Sequence, residues 1–181
     1  MFIFFLVTSS QALAENNQTY AIGFGVGPYN FDDEDLNNID NILYGSEFLE
    51  WYVLDEIGIG IRKHKFYKKA SSENDEELLM VNINFTITWV FWGSSSNLKM
   101  AAYAGYGPGY VSYSNKEDQI DITEMADTAS GGIFLDWGGK TWGARLGYHR
   151  VFSSFDPKDD LNSGTLNGSG NGFDVGIRLS F

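Results

Sequence analysis

The most constraining feature of this chain is a strict alternation of apolar and polar residues that recurs in separate segments. It is cleanest over residues 78–92, where one face carries Val81, Ile83, Phe85, Ile87, Trp89 and Phe91, and the other carries Asn82, Asn84, Thr86 and Thr88. The last residues repeat the pattern, with Phe173, Val175, Ile177, Leu179 and Phe181 on one face. A period of two is the period of a β-strand. The pattern therefore predicts amphipathic strands.

Segments of this kind recur along the chain and predict an all-β protein. We place eight strands, at roughly residues 19–30, 44–54, 57–68, 78–92, 98–113, 126–137, 141–153 and 171–181. The 21 glycines argue against a helical bundle, because each glycine destabilises a helix interior by about 1 kcal/mol. Short connections at 54–56, 93–97 and 138–140 alternate with long ones at 31–43, 69–77, 114–125 and 154–170. This order predicts an antiparallel up-and-down meander with an even number of strands.

The composition of the two strand faces decides between two kinds of eight-stranded barrel. A soluble ligand-binding barrel lines its cavity with the apolar face. Here the polar face consists of glycine, asparagine, threonine and a few charged residues, which suits a narrow interior. Five tryptophans fall near the short connections, as in the aromatic girdle of a membrane barrel: Trp51, Trp89, Trp92, Trp137 and Trp142. We therefore predict a transmembrane β-barrel; the alternative is a soluble β-sandwich.

The charge balance narrows the class of partner. The chain of 181 residues has 24 acidic and 12 basic residues and no cysteine. The acidity argues against nucleic acid as a partner, because phosphates are neutralised by an excess of Lys and Arg. The absence of cysteine excludes disulfides and thiolate metal sites. Acidic residues gather in the long connections, at Asp32, Asp33, Glu34, Asp35, Glu73, Asp75, Glu76, Glu77, Glu117, Asp118, Asp121, Asp156, Asp159 and Asp160. We interpret them as a solvated rim; loose binding of Mg²⁺ or Ca²⁺ is the alternative.

The N-terminal residues have the pattern of a targeting segment. An apolar run over residues 1–7 leads to Ala12, Leu13 and Ala14, a small-residue cleavage pattern followed by polar residues. We predict a signal peptide at 1–14 and one barrel domain at 15–181. The usual basic start is missing, so the true initiation site can lie upstream. An uncleaved anchor is the alternative, although the run is far shorter than the ~20 residues of a spanning helix.

The polar faces of the predicted strands define a candidate luminal network. Its members are Glu50, Arg62, His64, Asn82, Asn84, Asp136, Arg145, His149, Asp174 and Arg178, with Thr86 and Thr88 between them. Charges in a narrow interior must pair, because an isolated buried charge costs several kcal/mol. We interpret the set as structural. No serine forms an evident triad, and the two histidines lack metal-ligand spacing, so we predict no catalytic site, no metal and no cofactor. A barrel of eight strands is also too narrow for an open pore.

A basic group on the third predicted strand suggests a lipid contact. If alternation persists beyond Ile61, Lys63 and Lys65 face outward, and Lys68 and Lys69 lie at the long-loop end. Cations at that level would pair with the phosphates of lipopolysaccharide. A bulge that turns the lysines inward, or simple solvation at the rim, is the alternative.

The chain resembles the small eight-stranded outer-membrane β-barrel proteins of Gram-negative bacteria, the OmpX, OmpW and OmpA types. The strongest likeness is the end of the chain, residues 172–181, where Phe173, Val175, Ile177 and Leu179 precede a terminal Phe181. In that family such an ending is the signal read by the barrel-assembly machinery. The resemblance implies an outer-membrane location, with lipid and lipopolysaccharide as partners, and we expect a monomer.

The resemblance does not imply one activity. We predict a structural or surface-interaction role without enzymatic activity, with passage of small apolar solutes, as in OmpW-type barrels, as the alternative. A lipid A deacylase is the less favoured reading. Those enzymes carry a His-x-Ser pair on the seventh strand, and here the corresponding residues are His149, Arg150 and Val151, so the serine is missing.

Overall fold

The computed structural model describes residues 19–32, 42–68, 76–93, 97–115, 120–155 and 166–181. They form one antiparallel sheet. The strands are β1 (Thr19–Gly27), β2 (Tyr29–Phe31), β3 (Leu43–Leu54), β4 (Ile57–Lys68), β5 (Glu76–Trp92), β6 (Leu98–Asn115), β7 (Ile120–Gly138), β8 (Trp142–Phe155), β9 (Leu166–Asn167) and β10 (Gly170–Ser180). Within these ranges no helix is long and apolar enough to cross a bilayer.

The sheet closes on itself. Each long strand pairs with its neighbours in chain order, and β10 pairs with both β8 and β1. The short strand β2 continues β1 beyond Pro28, which lacks the N–H that a ladder requires, and also pairs with β10. The short strand β9 lies beside β8. The predicted eight-stranded up-and-down barrel is confirmed.

The strand ladders are staggered around the barrel. A row of paired residues that starts at Phe181 passes through Tyr20, Trp51, Ile59, Ile87, Ala104, Gly131 and Arg150 and returns to β10 at Asn171. The row therefore ends ten residues along β10 from where it began. Such a stagger in a barrel of eight strands corresponds to a tilt of about 40° between strands and barrel axis.

Four strands extend beyond their predicted ends. β5 begins at Glu76, so Glu76 and Glu77, both counted with the loop acids, lie in this strand, and β8 continues to Phe155. Alternation predicts a long loop over 114–125, whereas β6 reaches Asn115, β7 begins at Ile120, and these two residues pair. Asp121, counted with the loop acids, therefore lies in β7. Alternation could not predict this extension, because outward positions such as Met125 and Asp127 lie beyond the regular apolar belt. The ladder there needs backbone hydrogen bonds and no apolar face.

The two faces of the barrel differ sharply. The outward face carries the exposed large apolar side chains, among them Phe24, Ile59, Phe85, Ile133, Leu146 and Val175. Four of the five tryptophans are exposed on this face near the short turns: Trp89, Trp92, Trp137 and Trp142. We call this end the turn end and the opposite one the loop end. The two described glycines with positive φ lie at the turn end: Gly93 directly follows β5, and Gly138 is the last residue of β7. A side chain at either position would strain the backbone.

Candidate functional site

An ionic cluster occupies the lumen near the turn end. Glu50, on β3, accepts hydrogen bonds from Arg62 at 2.8 Å and from two nitrogens of Arg145 at 3.0 and 3.2 Å. Arg145 also donates to Asp136, at 2.6 and 2.8 Å, and the Nε atom of Arg178 lies 3.3 Å from the same carboxylate. All five residues are buried. Alternation within five strands turns these side chains inward, and the register between strands decides which pairs form.

Aromatic rings enclose this cluster. The guanidinium carbon of Arg145 lies 3.8 Å from the ring centre of Phe48 and 3.7 Å from that of Phe134. The guanidinium carbon of Arg62 lies 4.1 Å from the ring centre of Tyr103. Stacking on rings satisfies the flat faces of the guanidinium groups while their edges bind carboxylates. The cluster is therefore a packed, charge-compensated core.

A chain of hydrogen-bonded rings lies above the ionic cluster, toward the loop end. The hydroxyl of Tyr44 lies 2.9 Å from Nδ1 of His64, whose Nε2 is 3.4 Å from the hydroxyl of Tyr103. That hydroxyl lies 2.9 Å from Nδ1 of His149, and Nε2 of His149 is 3.0 Å from Asp174. The chain crosses the lumen through both histidines. Among the described residues, Asp174 is the one carboxylate within ion-pair distance of His149, and His64 has none.

Ser46 meets the same carboxylate. Its hydroxyl donates to Asp174, which also contacts His149. A nucleophilic serine needs the histidine itself as its base. Here the carboxylate stands between the serine and the histidine, so the order of the groups does not match a catalytic triad. All three side chains are almost fully buried.

An amide and hydroxyl layer completes the polar interior. Asn84 donates to the hydroxyl and carbonyl oxygens of Thr128, at 3.0 and 3.2 Å, and Thr128 donates to the carbonyl of Gly107 at 3.0 Å. Asn82, Thr86 and Thr88 are buried on the same face. This layer is neutral, so the charged part of the lumen is confined to the level of the ionic cluster and Asp174.

Apolar side chains close the lumen at the loop end. We call them the loop-end plug; its buried members are Phe31, Tyr44, Phe66, Leu78, Met80, Val111, Val151 and Phe155. A smaller apolar cluster, Val90, Ala101, Tyr103 and Phe134, packs beside the ionic cluster. The plug separates both histidines from the loop end. Among the described residues no group of three or more His, Cys, Asp or Glu side chains is arranged to hold a metal ion.

The structure places most of the residues singled out from sequence. All ten members of the candidate luminal network are buried on the inner face. Sequence reasoning did not identify Tyr44, Ser46, Phe48, Tyr103 or Thr128, which complete the network. Tyr44, Ser46 and Phe48 lie an even number of positions before Glu50 on β3, so they lie on the same face. Extending the alternation back to residue 44 would have identified them. Tyr103 and Thr128 lie in segments rich in small residues, where alternation is weak.

Lys63 and Lys65, the members of the basic group whose side chains the structure describes, lie on the outer face of β4. Ladder pairing between β4 and β5 is regular from Ile57 to Lys68, without a bulge. Lys63 contacts Glu47 at 3.2 Å, and the ammonium of Lys65 lies 5.5 Å from the ring centre of Tyr67. The side chain of Lys68 and the whole of Lys69 fall outside the described residues.

Some of the remaining sequence predictions concern described residues, and others lie outside the described part of the chain. Phe173, Val175, Ile177 and Leu179 are about half exposed on the outer face, and the backbone of Phe181 pairs with Tyr20. Residues 1–14 lie outside the described part of the chain, as do most of the loop acids. Asp32 is described, and its carboxylate binds Arg150 on the outer surface. Val151 is fully buried and His149 faces the lumen.

No protein-family model and no curated protein matches this chain. Solved structures do. The N-terminal β-barrel domain of Pseudomonas aeruginosa OprF has 11% identity and a TM-score of 0.59, over 91% of this chain and 98% of that one. Neisserial surface protein A has 11% identity and a TM-score of 0.60, over 91% and 96%. The attachment invasion locus protein Ail of Yersinia pestis has 10% identity and a TM-score of 0.56, over 91% and 97%. The chain therefore has the fold of the small outer-membrane β-barrels.

Proposed function

We propose that this protein is a closed outer-membrane β-barrel of a Gram-negative bacterium, exported by its N-terminal segment, with a structural or surface-interaction role. The fold and the apolar outer face support the location, because an apolar belt bounded by aromatic residues is what a bilayer requires of a barrel. We assign the role to the acidic connections, which the sequence predicts to form a solvated rim at the loop end.

The observation that carries the proposal is the filled lumen. The ionic cluster, the hydrogen-bonded rings and the loop-end plug occupy successive levels of the interior. A solute crossing the barrel would have to displace both buried ion pairs and tightly packed apolar side chains. Breaking a buried ion pair by removing one partner costs about 3–5 kcal/mol, so the network resists such displacement.

Planar-bilayer recording tests the closed lumen. The purified, refolded protein should show no stepwise conductance under conditions in which an open porin conducts. A double variant, Phe66→Ala with Arg145→Ala, removes one packing residue and one charged residue at different levels and should raise the current. Steady conductance of the unaltered protein would overturn the proposal.

Protease treatment of intact cells tests the exposure of the acidic loops. A glutamate-specific protease should cut in the long connections, at sites such as Glu73 or Glu117, and should leave Glu56 intact. Glu56 lies in the short turn between β3 and β4, at the opposite end of the barrel. Cleavage at Glu56 alone in intact cells would reverse the proposed orientation.

Passage of small apolar solutes through the wall is less well supported. A lateral opening requires neighbouring strands to separate within the apolar belt. Seven of the eight neighbouring pairs of long strands described here keep an uninterrupted register across that belt. The β5–β6 ladder skips Ile83 and Asn84, opposite Gly107 and Pro108, because proline offers no N–H, but the two strands pair again on both sides of this gap. Lipid A deacylation is less well supported still, since His149 faces the lumen and Val151 stands where the serine would be.

The C-terminal strand is proposed as the signal for the barrel-assembly machinery. Deleting Phe181 removes one interfacial ring and the backbone pairing with Tyr20, a small part of the ladder. Assembly in cells should fall markedly, while refolding of the purified chain in detergent should change little. Equal assembly of both forms in cells, measured by heat-modifiable mobility on gels, would refute the signal.

Lipopolysaccharide is the proposed outer-leaflet partner. Lys65 faces outward beyond Lys63 toward the loop end, at the level where phosphates of the outer leaflet are expected. Added lipopolysaccharide should raise the melting temperature of the protein in detergent, and Lys65→Glu should reduce that rise. Lys140→Glu, at the turn end, is the matched control and should leave the rise unchanged.

A further inference from the structure

Two ion pairs lie on the outer face among the described residues, Asp32 with Arg150 near the loop end and Glu47 with Lys63 nearer the middle of the strands. Glu47 of β3 and Lys63 of β4 are cross-strand partners, and Nζ of Lys63 lies 3.2 Å from the carboxylate of Glu47. The Glu47 side chain is 60% exposed and the Lys63 side chain 35%. Both residues have the outward parity of their strands, opposite to Glu50 and Arg62.

The pair lies inside the apolar belt. Its neighbours on the flanking strands and toward the turn end are all apolar: Phe24, Ile83, Leu49 and Ile61. Strand rise and tilt place Glu47 about 15 Å above the level of Phe181, in a belt of about 25 Å. Hydrocarbon chains offer neither hydrogen-bond donors nor acceptors. A single contact between an ammonium and a carboxylate leaves most of their hydrogen-bonding capacity without a partner there.

We infer that a second copy of this chain covers this face, related to the first by a two-fold axis along the membrane normal. Two copies inserted into the membrane in the same direction can be related by a two-fold axis only if that axis runs along the membrane normal. When the axis passes between Glu47 and Lys63, rotation brings each carboxylate opposite the ammonium of the other copy at nearly the same depth. Adjacent opposite charges on neighbouring strands are therefore self-complementary, as an isologous interface requires.

The surrounding apolar surface fits the same arrangement. A groove of about 690 Å³ surrounds the pair on the outer face; Glu47 and Lys63 line it together with apolar side chains, among them Ile22, Phe24, Leu49, Ile61, Ile83, Ile177 and Leu179. Because the axis passes through this groove, the rotation places the two apolar linings opposite each other. Contact between the copies would bury these linings together with the Glu47 and Lys63 pairs of both copies, whereas the sequence alone had predicted a monomer.

The inference rests on the proposed membrane location, and thiol cross-linking tests it. The chain has no cysteine, so Ile61→Cys introduces a unique thiol beside the axis. Leu146→Cys, on the opposite wall and similarly exposed, is the matched control. In outer membranes treated with a bismaleimide, Ile61→Cys should give several-fold more cross-linked dimer. Equal cross-linking of both variants would overturn the inference. Heat-modifiable mobility reports separately whether each variant is a folded barrel.

Charge exchange tests the pairing itself. In the Ile61→Cys background, Glu47→Lys gives a copy with two cations and Lys63→Glu a copy with two carboxylates. Each alone should cross-link about ten-fold less, because like charges then face each other. Co-expression of the two should restore a dimer containing one of each. Failure of the mixture to recover, with both variants folded, would refute the two-fold pairing.

Discussion

Two carboxylates three residues apart on β3 have opposite surroundings. Glu50 faces the lumen, is 1% exposed, and accepts hydrogen bonds from Arg62, Arg145 and Tyr52. Glu47 faces outward and meets Lys63. The inner carboxylate is held by several donors fixed on different strands, and the outer one by a single flexible partner. The contrast shows how much depends on which face of a strand a residue occupies. An inward position on β3 puts a carboxylate in a rigid core, and an outward position leaves it on a surface where a second molecule can supply further partners.

The largest expected effect is at the inner site. Glu50→Ala leaves Arg62 and Arg145 buried with less compensating charge, and should lower the free energy of unfolding in lipid vesicles by about 3–5 kcal/mol. Thr86→Ala is the matched control, since Thr86 is buried on the same face and its hydroxyl has no partner among the described side chains. Urea titration measures both. A similar small loss for the two variants would mean that the ionic cluster is not a rigid core.

A charge placed alone on the outer face should cost somewhat less. Ile177→Arg adds a cation within the apolar belt and should destabilise the barrel by about 2–4 kcal/mol. The same urea titration in lipid vesicles reports it, with Ile177→Leu as the control. If Ile177→Arg were as stable as the unaltered protein, the inside and outside of every strand would have to be exchanged.

The residues of the inner and outer sites also show which features the sequence predicts and which it does not. Alternation alone placed Glu50 inward and Lys63 outward, because it is local to each strand. It could not join Glu47 to Lys63, or Glu50 to Arg145, since those contacts depend on the register between strands. The ends of β6 and β7 were missed for a related reason: Asn115 and Ile120 pair through backbone groups that carry no side-chain signature.

A smaller effect is expected where one of several donors to the inner carboxylate is removed. Tyr52→Phe deletes the hydroxyl that donates to Glu50 at 3.1 Å and leaves both arginine contacts in place. The free energy of unfolding should fall by about 1 kcal/mol. Tyr67→Phe, on the outer face near the loop end, is the control. A loss as large as that of Glu50→Ala would show that the tyrosine, and not the arginines, holds the carboxylate.

The smallest effect is expected when the outer pair is replaced as a whole. Glu47→Leu with Lys63→Leu removes both charges from the apolar belt, and replacement of an ion pair by apolar residues is often neutral or stabilising. The unfolding free energy should stay within about 1 kcal/mol of the unaltered value. Combined with Ile61→Cys, the same double change should reduce cross-linking. A large destabilisation would place the pair among the structural contacts of the barrel.

The ten-residue stagger of the ladders limits what evolution can do with this interior. Strand number and stagger together determine the radius of the backbone, roughly 8 Å here, and neither depends on the side chains inside. Substitution can therefore empty the lumen but cannot widen it. A wider channel requires additional strands or a new register, and both are changes in the length of the chain. New functions are accordingly easier to acquire on the outer wall and at the rim than through the centre.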